Sequence, residues 1–193
     1  MRKLILILFI LLSCGSLANS GMVSFPGGGV PSAGGCSEGS GATIIGIAVE
    51  NDSDTNKNAN DLMLGRYPAL FSCEIDTVSY YLENFIATEY AVVGVYSDNG
   101  QTLYSDSDIV EGGAGAGEYV FTLDSAVSLT KDTYYIIAIS ISSGVTLNYE
   151  SGQASGIKNK TITGVNYTGS APATVDSTSM ADTTSYRLNG ESP

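Results

Sequence analysis

Apolar residues in this chain recur at every second position in short runs, and no window of ten residues carries the 3.6-residue stripe of a helix face. The runs at 43–49, 67–75, 76–82, 90–97, 101–105, 118–123, 133–142, 145–150, 161–167 and 184–189 are rich in Val, Ile, Thr and Tyr, with Asn, Asp, Ser and Gly between them. Such spacing predicts an all-β fold, an antiparallel jelly-roll-like sandwich of about ten strands over 43–193. Within it Val78, Tyr80 and Leu82 alternate with Thr77, Ser79 and Tyr81, and Tyr119, Phe121 and Leu123 share one side of their strand. The run at 133–142 differs, because Ile137, Ile139 and Ile141 form one apolar face while Ile136 and Ala138 form the other. A strand apolar on both faces belongs in the middle of a sheet with cover on each side. Asp98-Asn99-Gly100 supplies residues that tolerate positive φ, so 90–97 and 101–105 read as a hairpin. The stretch 59–64 leaves room for one or two helical turns, 112–117 (Gly-Gly-Ala-Gly-Ala-Gly) reads as a flexible loop, and 23 glycines disfavour long helices.

Charge and the missing residue types narrow the chemistry. Eight Lys and Arg stand against 20 Asp and Glu, a net charge of -12, so nucleic acid would be repelled over most of the surface. The chain has no histidine. That removes Ser-His-Asp and Cys-His nucleophile systems, His-rich zinc sites and the usual proton shuttle near neutral pH.

The N-terminus reads as an export signal over 1–20. Arg2 and Lys3 precede an unbroken apolar run at 4–12, which is too short for the roughly 20 residues of a membrane-spanning helix. Leu11-Leu12-Ser13-Cys14 resembles a bacterial lipoprotein box, which implies lipidation at Cys14, a membrane connection through that anchor alone, and a place on the cell surface. A rival cut at Ala18-Asn19-Ser20 suits ordinary signal peptidase and would release the chain. Residues 21–42 then form a Gly/Ser/Pro-rich tether which, if flexible, lets the stretch from Cys14 span roughly 30 Å. With Cys14 acylated or discarded, Cys36 and Cys73 remain. An even pair in an exported chain reads as a disulfide worth about 4 kcal/mol, with two free thiols as the alternative.

The stretch Val93-Gly-Val-Tyr-Ser-Asp-Asn-Gly100, followed by Gly117-Glu-Tyr-Val-Phe-Thr-Leu123, Val127-Ser-Leu-Thr130 and Thr133-Tyr-Tyr-Ile-Ile-Ala-Ile139, resembles a jelly-roll module of secreted bacterial and phage surface proteins. Those modules are similar to carbohydrate-binding modules. The likeness is one of strand pattern and implies a glycan or another surface polymer as partner. Tyr119 stands where such modules often carry Trp, and this chain has no Trp.

Few segments look chemical. Gly35-Cys36-Ser37-Glu38-Gly39 matches the nucleophile-elbow pattern, but it lies in the tether and no histidine base exists. Glu74, Glu83, Glu118 and Glu150 sit in or beside strands without a spacing that selects a catalytic pair. The segment 51–61 concentrates hard oxygen ligands, and Asp52, Asp54 and Asp61 could hold a structural calcium ion; a solvated turn is the alternative. As an EF-hand loop it fails, with Lys57 at the glycine place and Met63 at the bidentate glutamate place. Asp106 and Asp108 form a weaker second candidate. The 12 tyrosines bury large rings while their hydroxyls can stay wet, and Tyr81 (or Tyr80), Tyr96 and Tyr119 are candidates for a sugar-binding surface.

Taken together these features predict an exported, non-enzymatic β-sandwich that binds glycan or another surface component. One rival is a structural subunit that assembles through strand edges, although the arm offers only Met22, Val23, Phe25 and Val30 as apolar residues for strand donation. The other is a histidine-free, carboxylate-based glycoside hydrolase.

Overall fold

The computed structural model describes residues 43–47, 53–151, 156–181, 184–186 and 188–191. The export signal, Cys14, the tether, Cys36 and Asp52 lie outside them. The described chain is all β, two antiparallel sheets packed as a sandwich. The strands are β1 Ile45–Ile47, β2 Ser53–Lys57, β3 Leu62–Pro68, β4 Cys73–Ile86, β5 Tyr90–Ser97, β6 Leu103–Asp106, β7 Val110–Glu111, β8 Ala114–Leu129, β9 Tyr134–Ile141, β10 Val145–Ser151, β11 Lys158–Ile162, β12 Thr184–Tyr186 and β13 Leu188–Glu191.

The first sheet is organised by β4, which pairs with β8 along one edge and with β13 and then β10 along the other. β1 joins β13, while β2 and β12 join β10. The second sheet runs β11-β3-β9-β5-β6, with β7 completing the edge of β5. Between the sheets the alternating residues meet as their period demands: Val78, Tyr80 and Leu82 from β4, Phe121 and Leu123 from β8, and Ile137, Ile139 and Ile141 from β9 all join one buried cluster.

β9 is central, between β3 and β5, and both of its faces are covered. Ile136 and Ala138 point away from the sandwich interior into a second cluster with Leu62, Leu64, Tyr96 and Val175. The cover is a strap at 163–181, mostly irregular, whose Val165, Ala171 and Met180 pack on that outer face. Among the described residues four backbone hydrogen bonds place it: Val165 N to Asn60 O, Val175 N to Gly100 O, Ala181 N to Asn159 O and Asn159 N to Ala181 O, each at 2.9 Å. Gly94 lets the strap approach closely, since a Cβ there would lie 2.8 Å from that of Ala171.

Several boundaries differ from the sequence expectation. The helical turns expected at 59–64 are a tight turn at 59–60 followed directly by β3, because Asp61 caps the turn by accepting from Asn58 N (2.9 Å). The run at 67–75 is not one strand: β3 ends at Pro68, the chain reverses, and β4 begins at Cys73 and continues through the expected break at 75/76. That position carries a bulge in the β4–β8 register instead, between Ile75 and Thr77. The glycine loop at 112–117 is partly strand, because Gly115 and Gly117 continue the ladder of β8 opposite Phe85 and Leu82. Segment 161–167 ends as a strand at Ile162 and becomes the strap. Part of the acidic loop is β2, paired with β10.

Candidate functional site

At one end of the second sheet, the β5–β6 turn, β6 and the start of β9 surround an open groove of about 440 Å³. Its lining includes Ser97, Asp98, Asn99, Tyr104, Thr133 and Tyr134. The turn is held by its own side chains. Ser97 Oγ donates to Asn99 Oδ1 (2.7 Å), and Asn99 Oδ1 also accepts from Gln101 N (3.1 Å). Gly100, at φ +70°, completes the reversal, with its amide donating to Ser97 O (2.8 Å). Two tyrosines give the groove its aromatic surface. Tyr104 is 47% exposed and rests at a tilt on Tyr135, with ring centroids 6.1 Å apart. Tyr134 is half-buried, and the Arg66 guanidinium lies 3.8 Å from its ring centroid.

Arg66, on β3, is the hub. Its guanidinium grips Asp98 with both arms of the fork, Nε donating to Oδ1 and Nη2 to Oδ2 (2.9 Å). Nη1 donates to Gly156 O (2.8 Å). A planar bidentate pair of this kind fixes the Asp98 carboxylate in orientation as well as in charge. The same pair lines a second, more polar hollow of about 350 Å³, together with Lys158, Ser177, Ser179 and Met180. The two hollows share Asp98 in their linings.

The structure does not gather Tyr81, Tyr96 and Tyr119 into one surface. Tyr96 is fully buried under the strap and its hydroxyl donates to Pro172 O (2.7 Å), so its ring has no face left for a ligand. Tyr81 pairs with Glu118 across β4 and β8, whereas Tyr119 pairs with Tyr80, so Tyr81 and Tyr119 lie on opposite faces of the first sheet. Tyr119 stacks edge-on against Phe85 at 4.9 Å, and its hydroxyl is 3.0 Å from both Phe85 O and Gly115 O. Its role is to close the inner end of the sandwich.

For the calcium candidates, Asp52 and the side chain of Asp54 fall outside the described residues. Asp61 is 3% exposed and serves as the turn cap. Among the described residues no group of three or more His, Cys, Asp or Glu side chains is placed to hold a metal ion. Asp106 accepts from Ala171 N (3.3 Å) and so helps seat the strap. Glu118 accepts from Ser79 Oγ (2.7 Å) and Glu74 from Ser128 Oγ (3.1 Å), as strand-face carboxylates do. Cys73 is disulfide-bonded, and its partner lies outside the described residues.

Sequence reasoning singled out neither Arg66 nor Tyr104 nor Tyr134. A signal was present in part: Arg66 is one of only eight basic residues in a strongly acidic chain, and Asp98 sits in the one clear hairpin turn. No family model matches the chain, and no curated protein matches it.

Proposed function

We propose that this protein is a non-catalytic, exported glycan-binding sandwich, and that the saccharide lies in the groove of Tyr104 and Tyr134. The observation that carries this reading is the pairing, in one open groove, of an exposed tyrosine ring with fixed polar groups from a rigid turn. A sugar ring offers an apolar face of C–H groups and a rim of hydroxyls. Tyr104 and Tyr134 suit the face, and Asp98, Asn99 and Ser97 suit the rim. The sheet supports preorganisation, since Asp98 is already clamped by Arg66 and the turn already closed on itself.

Binding to a panel of immobilised oligosaccharides, read for the wild type and for Tyr104→Ala, is the test. Loss of one stacking ring should weaken binding by about 1 kcal/mol, or roughly fivefold. Tyr81→Ala, on the outer face of the other sheet, should leave it unchanged. Retention that survives Tyr104→Ala but falls with Tyr81→Ala would move the site to the first sheet.

A further inference from the structure

β8 is the longest of the described strands, with 16 residues, and among the described residues it pairs along its length only with β4. Its other edge is closed at one place, where Leu123 forms an isolated bridge with Ser107 and Ser125 N donates to Ser105 Oγ (3.1 Å). Over 117–122 no described strand pairs with that edge, and there the ladder to β4 is regular, from Gly117 opposite Leu82 to Thr122 opposite Thr77. A regular free edge offers a row of backbone N–H and C=O groups to another strand, and proteins usually blunt it with Lys, Pro, a bulge or cover. β8 contains no Lys, Arg or Pro, and the irregularities in its register lie outside 117–122. Val120, in the middle of this stretch, is 56% exposed, more than any other large apolar residue described.

We infer that this edge pairs with the same edge of a second copy of the chain, antiparallel and about a two-fold axis at Val120. The side chains select the register. Inner-facing residues of both copies must stay on one side of the joined sheet, so a residue, and not a gap between residues, sits on the axis. An axis at Glu118 opposes two carboxylates, one at Phe121 opposes Glu118 to Asp124, and one at Tyr119 sets Glu118 against Val120. With Val120 on the axis the two valines cover each other, and Glu118 stands opposite Thr122, whose hydroxyl can donate to it. The chain's own 21–42 segment is a poorer occupant: Pro26 and Pro31 have no N–H for a ladder, and the glycine runs 27–29 and 34–35 bring no side chain to pack. Pairing about a two-fold axis closes on itself, so the product is a dimer and not a fibre. The dimer does not depend on glycan binding, since no groove residue lies on β8.

The test is sedimentation velocity of the full chain from micromolar to millimolar concentration, at physiological salt, which screens the repulsion between two chains of net charge -12. The expected result is a monomer–dimer equilibrium, with hydrogen exchange at 118–122 slowing as the dimer fills. Val120→Lys and Val120→Glu each place like charges on the axis and should weaken association at least about tenfold. Because the two variants are complementary, their equimolar mixture should associate again. Val120 is exposed in the single chain, so both variants should melt with the wild type, and the melts establish that each is folded. A monomer at every concentration would overturn the proposal, as would a dimer that Val120→Lys leaves unchanged. A mixture that stays monomeric would remove Val120 from the axis. Slow exchange at 118–122 that is independent of concentration and is lost on deletion of 21–42 would put the chain's own arm on the edge and overturn the second copy.

Discussion

Tyr67 and Tyr80 are both fully buried between the sheets, and they differ in what their hydroxyls meet. The Tyr67 hydroxyl donates to Tyr186 O and accepts from Tyr186 N, each at 3.0 Å, and so ties β12 to β3 across the core. The Tyr80 hydroxyl has no hydrogen-bond partner among the described residues. Since a buried polar group without a partner carries its desolvation cost uncompensated, the same substitution should have opposite consequences at the two sites. Tyr67→Phe is expected to cost about 1 to 3 kcal/mol, because it strips a partner from two buried backbone groups. Tyr80→Phe is expected to be neutral or stabilising. Urea denaturation of both variants decides this, and equal losses would mean the Tyr80 hydroxyl is satisfied after all.

At the scale of elements, the strap over the second sheet is held more by hydrogen bonds to the strands and turns beneath it than by burial of its own side chains. Its apolar contribution to the outer cluster is small, with Val175 as its buried residue and Val165, Ala171 and Met180 only half-buried. Gly100 is the pivot of the strap as well as of the β5–β6 turn, since its carbonyl accepts from Val175 N. A Cβ at Gly100 would stand 2.3 Å from Val175 O, on a backbone at φ +70° that L-residues seldom adopt. Gly100→Ala is therefore expected to cost more than about 1 kcal/mol. It should also speed hydrogen exchange at Val175 while leaving the β9 amides protected. Slowed or unchanged exchange at Val175 would show that the strap is held elsewhere.

For the molecule as a whole, pH acts through its buried tyrosines. Burial raises the hydroxyls of Tyr67, Tyr80 and Tyr96 well above the ordinary tyrosine value near 10. For Tyr67 the hydrogen bond from the Tyr186 amide opposes part of that rise. Protonated, uncharged hydroxyls are favoured in the folded state, so this stability is fully present below about pH 10 and is lost as the pH climbs from there toward the raised values. A spectrophotometric titration should thus show two classes of tyrosine. The late class, Tyr67, Tyr80 and Tyr96, ionises together with the loss of near-UV circular dichroism. Ionisation of all the tyrosines in one smooth step, with the fold intact, would contradict their burial.

Much of the sandwich was determined by the sequence alone, through period-two alternation. That alternation placed Val78, Tyr80 and Leu82 inside, set Ile136 and Ile137 on opposite faces, and made β9 central, because the side chains of a strand have no other way to divide between two environments. Strand ends were less legible: Pro68, the bulge after Ile75 and the glycines of β8 are settled by what the neighbouring strand can pair with, and a single run does not encode its neighbour. Of the groove only the Asp98-Asn99-Gly100 turn was legible. Tyr104, Tyr134 and the Arg66 that orders Asp98 come from three strands, and their juxtaposition depends on the order and register in which β3, β9, β5 and β6 line up. Periodicity says which way a side chain points, and only pairing between distant segments decides what it meets there.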